Sequence, residues 1–217
     1  RQSIALYNHH RSLLQQVYQL RNQKPGVLRA KDMVSLVQAG MVMPKEEHIA
    51  VLEALIPELK GKRAARDGRV KLFASGHLCQ AVKPDILDLM EDLGGVVVAD
   101  DLYTGYRYYA TQVPTDGPPL EALARRYLEM ALPCPTRYDP KQEWGHYLAQ
   151  TVPQTGAKGI VTLVVKFCEP HMIYYPYLRD MLNGAGVPHL MIETEHEVVS
   201  LEGTRTRLQA FIEMLSA

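Results

Sequence analysis

The first part of the chain carries apolar residues at helical spacing, which predicts helices through residues 1–64. Breaks at Pro25-Gly26 and Met43-Pro44 divide this stretch into successive helices. His9 and His10 fall in the first helix and are predicted to be surface residues. The apolar faces consist of Tyr7, Leu14, Val17 and Tyr18, then Met33, Leu36 and Val37, then Ile49, Leu52, Ile56 and Leu59.

From residue 69 onward, short apolar runs alternate with stretches of helical periodicity. Strand and helix in succession favour a parallel sheet, because parallel neighbours require helical crossovers. The predicted fold is therefore α/β, with a four-stranded, doubly wound, flavodoxin-like parallel sheet flanked by helices and a helical N-terminal segment. The predicted strands are 70–74, 96–99, 160–165 and 189–192.

One predicted helix, over residues 119–131, follows a long connection that is rich in aromatic residues. Its apolar positions are expected to be buried. They are Leu120, Leu123, Tyr127 and Leu128.

The run at 160–165 is apolar throughout, as expected for a strand buried on both faces. Cys168 follows its carboxyl end, and Glu169-Pro170 resembles a first helical turn. Ligands of open α/β sheets gather at the carboxyl ends of strands, and helix N-terminal amides stabilise thiolates. Free cysteines are also among the most buried residue types, so a purely structural role stays open for Cys168.

Other polar residues follow the same ends of the predicted strands. Ser75 and the two aspartates serve equally well as caps of helices or turns. Of the two glutamates, at most one is expected to point inward. Arg205 and Arg207 fit either solvated helix positions or a site near bound phosphates. The residues predicted at this edge are Ser75, Gly76, His77, Cys79, Asp100, Asp101, Cys168, His171, Glu193 and Glu195.

Composition narrows the class of protein. The 24 Lys and Arg balance the 24 Asp and Glu, which argues against nucleic-acid partners and against a polybasic membrane surface. No apolar run approaches the roughly 20 residues of a bilayer span, and no signal-peptide pattern opens the chain. Three widely spaced cysteines indicate a reducing compartment rather than a disulfide framework. We therefore expect a soluble, cytoplasmic protein.

Several common motifs do not occur in the sequence. It contains no Cys-x-x-Cys, no Gly-x-Gly-x-x-Gly and no Walker loop. Arg1 stands inside a helical pattern, so we expect the chain to be part of a longer polypeptide.

Five segments in this order resemble the carboxyl-terminal part of the 2-hydroxyacyl-CoA dehydratase and benzoyl-CoA reductase family. They include Lys-Phe-Cys-Glu-Pro-His and Gly-Val-Pro-His-Leu-Met-Ile-Glu-Thr-Glu. The resemblance covers most of residues 69–217 and identifies 1–64 as a helical inter-domain segment, with 65–217 as the α/β domain. The five segments are 100–107, 119–128, 166–171, 186–195 and 206–214.

The resemblance implies an oxygen-sensitive iron–sulfur enzyme of anaerobes. Each subunit of the family holds a [4Fe–4S] cluster between two α/β domains through three thiolates, which leaves one iron open. An ATP-dependent activator protein delivers one electron, and a ketyl radical of the CoA thioester then loses water or an aromatic ring is reduced. The implied partners are a homologous second subunit, the activator and the CoA-thioester substrate.

The family motif is carried over to one residue of this chain. Cys168 matches the cluster cysteine of the second domain, and the other two thiolates are expected from an N-terminal domain. Cys79 resembles a cysteine of some reductase-type subunits but is not assigned as a ligand, and the role of Cys134 stays open. Tyr103 stands where many relatives have a cysteine, which weakens a ligand role for that loop.

The expected function is therefore that of a cluster-bearing domain of an iron–sulfur 2-hydroxyacyl-CoA dehydratase subunit, inactive as an isolated fragment. Two alternatives stay open. One is a benzoyl-CoA reductase-type subunit, and the other is a non-catalytic assembly subunit. The sequence does not fix the acyl group or the oligomeric state.

Overall fold

A computed structural model describes residues 1–64, 68–77, 84–134, 136–137, 139, 143–194 and 201–217. Helices and strands follow the predicted order. The elements are α1 (Gln2–Gln23), α2 (Ala30–Val42), α3 (Lys45–Gly61), β1 (Val70–His77), α4 (Pro84–Asp92), β2 (Gly95–Asp100), α5 (Tyr106–Tyr109), α6 (Pro119–Leu128), α7 (Trp144–Gln154), β3 (Gly159–Val165), α8 (Glu169–Gly184), β4 (His189–Thr194) and α9 (Glu202–Ser216).

The strands form one parallel sheet in the order β2-β1-β3-β4, which confirms the predicted flavodoxin-like α/β fold within the described residues. Consecutive residues of β1 face opposite ways. Leu72 packs in a core with α4 and α9, whereas Phe73 packs in a second core with α7 and α8. Both faces of the sheet are thus covered, which explains why the strands are apolar throughout.

Residues 1–64 form three helices around a third core, which includes Leu14, Met33 and Leu52 together with Tyr109 of α5. α1 also contacts the end of β2. Arg21 forms a buried ion pair with Asp100, with a 2.6 Å distance between Nη2 and Oδ2. The Tyr18 hydroxyl hydrogen-bonds to the backbone of Asp100 as donor and as acceptor. No helix of the described residues is long and apolar enough to cross a membrane.

The predicted burial of α6 is wrong for three of its four apolar positions. Leu120, Tyr127 and Leu128 are exposed, with 80%, 65% and 70% of their surface accessible. The buried positions of this helix are Ala122 and Arg126 instead. Periodicity identifies an amphipathic helix, but it does not say which face has a neighbour in the fold.

The prediction for His9 and His10 is right for the first and wrong for the second. His9 is exposed, whereas His10 is 1% exposed and lies between α1 and α3. Its Nε2 lies 2.8 Å from Nδ1 of His48, which is also buried. Gly40 of α2 packs against both rings. The contact between the two imidazoles leaves Nε2 of His48 buried without a hydrogen-bond partner among the described residues.

Candidate functional site

Cys168 lies between β3 and α8, as predicted, at the N-cap position of the helix. The backbone N–H of Cys168 donates to the Val165 carbonyl over 3.1 Å. The carbonyl of Cys168 accepts the N–H groups of His171 and Met172, which fixes the first turn of α8. Its thiol is free and partly exposed, so the cysteine is presented at the carboxyl end of the sheet rather than sealed in the core.

The residue before the cysteine has an unusual backbone. Phe167 has a φ of 66°, in the left-handed region that costs a non-glycine residue free energy. Its side chain is 89% exposed, so packing of the ring does not offset that cost. Such strain persists where surrounding structure enforces it, and it clusters at functional sites. The turn at Phe167 sets the direction in which Cys168 enters the helix.

His171 stands one turn further along α8 and is 1% exposed. Its Nδ1 lies 3.3 Å from Sγ of Cys168. When the sulfur is a thiolate it has no proton to give, so the imidazole N–H must be the donor. The ring of His171 stands edge-on to Trp144 with 5.5 Å between centroids. The histidine is thereby held in place beside the sulfur.

Trp144 extends this arrangement to the end of β2. Its indole N–H donates to Oδ2 of Asp101 over 2.7 Å. The same oxygen accepts from Nη2 of Arg107 over 2.8 Å, and Asp101 is 0% exposed. Asp101 is consequently a buried, paired carboxylate that supports the edge of the sheet and is not open to a ligand through that oxygen.

Asp100 acts as a cap, which is the alternative that the sequence left open for the two aspartates. Its Oδ1 accepts the backbone N–H groups of Leu102 and Tyr106, and its Oδ2 pairs with Arg21. The side chain therefore caps the turn that leads into α5 and neutralises a buried guanidinium.

The other predicted edge residues that the structure describes have surroundings of their own. Ser75 is fully buried opposite Thr162 of β3, and neither hydroxyl has a hydrogen-bond partner among the described residues. Glu193 is exposed, and the exposed Arg207 donates to the carbonyl of Met191. Arg205 is exposed as well. Cys79, Glu195 and the side chain of His77 lie outside the described residues.

A cluster that sequence analysis missed surrounds the second free thiol. The hydroxyls of Tyr103 and Thr136 hydrogen-bond to Sγ of Cys134. Arg107 lies over the ring of Tyr103, with its Cζ 5.2 Å from the ring centroid. Tyr103 is 31 residues away from Cys134, and no spacing in the sequence announces this contact. Tyr103 is thus a direct partner of Cys134.

The family model for the 2-hydroxyglutaryl-CoA dehydratase D-component matches residues 1–215. The chain belongs to this dehydratase family. The match agrees with the resemblance seen in the sequence, and it extends through the helical segment as well as the α/β part.

Curated relatives in the dehydratase family include both kinds of protein expected. The chain is 33% identical to the beta subunit of lactoyl-CoA dehydratase of Anaerotignum propionicum and 28% identical to the (R)-phenyllactyl-CoA dehydratase beta subunit of Clostridium sporogenes. It is 27% identical to a benzoyl-CoA reductase subunit of Thauera aromatica. These matches cover 98–99% of the chain and 56% of each relative, so the chain spans about half the length of these relatives.

An iron–sulfur cluster is the cofactor that the dehydratase family implies, and the described residues fit it in part. A partly exposed thiol beside an imidazole is a suitable iron ligand, since thiolates prefer soft metals. Across the described ranges, no three His, Cys, Asp or Glu side chains are grouped closely enough to hold a metal. Cys168 therefore fits as one ligand of a set that these residues do not complete.

Proposed function

We propose that this chain is the cluster-bearing part of a 2-hydroxyacyl-CoA dehydratase subunit, with Cys168 as one thiolate ligand of a [4Fe–4S] cluster. The observation that carries the proposal is the position of Cys168, free and partly exposed at the N-cap of α8. Membership of the dehydratase family and the named relatives support the class of reaction.

The role of this chain's residues is to hold the sulfur in one direction. The left-handed turn at Phe167 aims the cysteine, and the hydrogen bond between His171 and Cys168 fixes its side chain. Trp144 and Asp101 in turn hold His171 and the end of β2. When bound, the cluster supplies one electron at low potential to the thioester substrate.

The proposed enzyme needs further parts. The remaining thiolates are proposed to come from another part of a full-length subunit. That part would be equivalent to the region of the relatives that this chain does not match. A homologous second subunit and an ATP-dependent activator are proposed as partners. The first is supported by the relatives, which are themselves named as subunits. Elimination of water by a one-electron route is proposed as the reaction.

A reductase-type role is the second candidate, because a benzoyl-CoA reductase subunit is among the relatives. An anaerobic assay of the protein with its partner, activator and ATP separates the two. Dehydration of lactoyl-CoA or phenyllactyl-CoA supports the proposal. Reduction of benzoyl-CoA alone would favour the reductase-type role instead. A preparation that binds no cluster and turns over neither ester indicates a non-catalytic assembly subunit.

A further inference from the structure

A cavity of about 300 Å³ lies between the connection after β2, helix α6 and the segment that carries Cys134. Tyr103, Tyr108 and Tyr127 line it, together with Leu132. This volume stands at the small end of the range for ligand pockets in proteins, about 300–1,000 Å³. The cavity suits a small molecule with an apolar body.

Arg126 supplies the charge of the cavity. The side chain lines the cavity although only 7% of the residue is exposed, and it donates to the carbonyls of Thr111 and Tyr108. The guanidinium also lies over the ring of Tyr127, with its Cζ 5.0 Å from the ring centroid. All these partners are neutral, and Arg126 forms no ion pair with any described residue. Its Nη1 group donates no hydrogen bond among the described residues. A buried guanidinium without a carboxylate is costly unless an anion accompanies it.

The surroundings increase this excess of positive charge. Arg11 is 9% exposed and also lacks a carboxylate partner among the described residues. Burial lowers the pKa of Arg11, and the nearby charge of Arg126 lowers it further. Two buried cations in proximity attract an anion more strongly than either does alone.

The other two arginines at the cavity are already neutralised. Arg107 pairs with Asp101 over 2.8 Å, and Arg137 pairs with Asp139 over 3.3 Å. Their guanidinium groups also donate hydrogen bonds to backbone carbonyls of the cavity wall. Arg107 donates to Leu132, and Arg137 donates to Tyr127. Arg126 is therefore the member of the cavity best placed to bind an anion.

Cys134 opens onto the same cavity and reports on its occupancy. Burial raises the pKa of its thiol, but hydrogen bonds from Thr136 and Tyr103 and the charge of Arg107 outweigh burial and hold the pKa below its ordinary value. A larger thiolate fraction makes a cysteine react faster with alkylating agents. A ligand seated in the cavity shields that sulfur.

We infer that this cavity binds a small organic oxyanion, whose carboxylate or phosphate pairs with Arg126 and whose apolar body packs among Tyr103, Tyr108 and Tyr127. One guanidinium fork binds either head group in the same way. Cys168 is not among the residues that line the cavity, and the inference does not depend on a cluster.

The test follows alkylation of Cys134 by iodoacetamide in protein prepared without a cluster, with peptide mass spectrometry as the readout and the then unliganded Cys168 as the internal reference. Benzoate and phenyl phosphate are the two anionic probes, and benzamide is the neutral probe of matching shape. The inference predicts that an anion slows alkylation of Cys134 in a saturable manner, that benzamide does not, and that Cys168 reacts unchanged. Equal protection by benzamide, or none by either anion, overturns it.

Variants test whether Arg126 is responsible for the protection of Cys134 by the anions. Arg126→Gln is expected to weaken protection by about tenfold or more, since a charge-assisted hydrogen bond is lost. The neighbouring Arg125→Gln is the control, because Arg125 is exposed at the side chain and pairs with Asp116 outside the cavity. Should Arg126→Gln fail to fold, Ala131→Phe fills the cavity and keeps the arginine. Full protection in a folded Arg126→Gln or in Ala131→Phe contradicts the inference.

Discussion

The indole N–H of Trp144 lies 2.7 Å from the carboxylate of Asp101, although 43 residues separate them. This bond joins the start of α7 to the end of β2, directly beside the histidine that contacts Cys168. The tryptophan is 3% exposed and Asp101 is 0% exposed, so water cannot replace a lost donor without a rearrangement.

Trp144→Phe removes that donor and keeps an aromatic ring. We expect a loss of about 1–3 kcal/mol in the free energy of unfolding, measured by urea denaturation, because a buried acceptor loses one partner. Tyr177→Phe is the control, since Tyr177 is 64% exposed on α8. If the two variants are equally stable, the bond between Trp144 and Asp101 does not stabilise the structure around Cys168.

The ion pair between Arg21 and Asp100 fastens the helical segment to the sheet. Burial opposes the charge of Arg21, but Asp100 outweighs burial and raises the pKa of the guanidinium. Arg21→Met leaves a buried carboxylate unpaired, with an expected cost of about 3–5 kcal/mol in urea unfolding.

Two further variants check the role of the ion pair. Adding Asp100→Asn to Arg21→Met is expected to recover part of the lost stability, because the unpaired charge is removed. The exposed pair of Arg125 and Asp116 is the matched control, and its disruption by Arg125→Gln is expected to cost less than about 1 kcal/mol. A cost in Arg21→Met no larger than in that control would show that the buried pair does not fasten the segment.

The histidine pair makes stability depend on pH. Burial lowers the pKa of His10 to about 4, and the charges of His48, Lys45, Arg11 and His9 act in the same direction. The unfolded chain takes up this proton near pH 6.5, so the stabilisation is complete above that pH and falls as the pH decreases toward 4.

Urea unfolding at pH 7 and pH 4.5 measures this dependence. We expect the wild type to lose roughly 1–3 kcal/mol over this interval through His10. The isosteric His10→Gln should lose correspondingly less, whereas His9→Gln, at an exposed position, should behave as the wild type. The same loss in His10→Gln would assign the pH dependence to other groups.

The sequence predicted the positions of the strands and helices better than it predicted which of their faces are buried. The β-branched runs of β3 and β2 identified strands directly, because a strand buried on both faces must be apolar. The helical period of α6 was equally clear, yet Leu120 and Tyr127 are exposed. Whether an apolar face is buried depends on neighbours distant in sequence, and local spacing carries no such information.

In the candidate site, too, local features were predicted from the sequence and contacts between distant residues were not. Cys168 was found from its place between an apolar strand and Glu169-Pro170, which is a local signal. The pairing of Asp100 with Arg21 and the contact of Tyr103 with Cys134 join residues 79 and 31 positions apart. Such contacts exist only once the strands are ordered, so residue types and spacing could not reveal them.

Anaerobic iron and sulfide analysis of the protein, with and without Cys168→Ser, tests the central claim most directly. Cys134→Ser is the matched control, because both thiols are free and partly exposed. The account predicts that Cys168→Ser loses most of the cluster iron and its visible absorption, while Cys134→Ser keeps both. Unchanged cluster content in a folded Cys168→Ser protein would contradict the assignment.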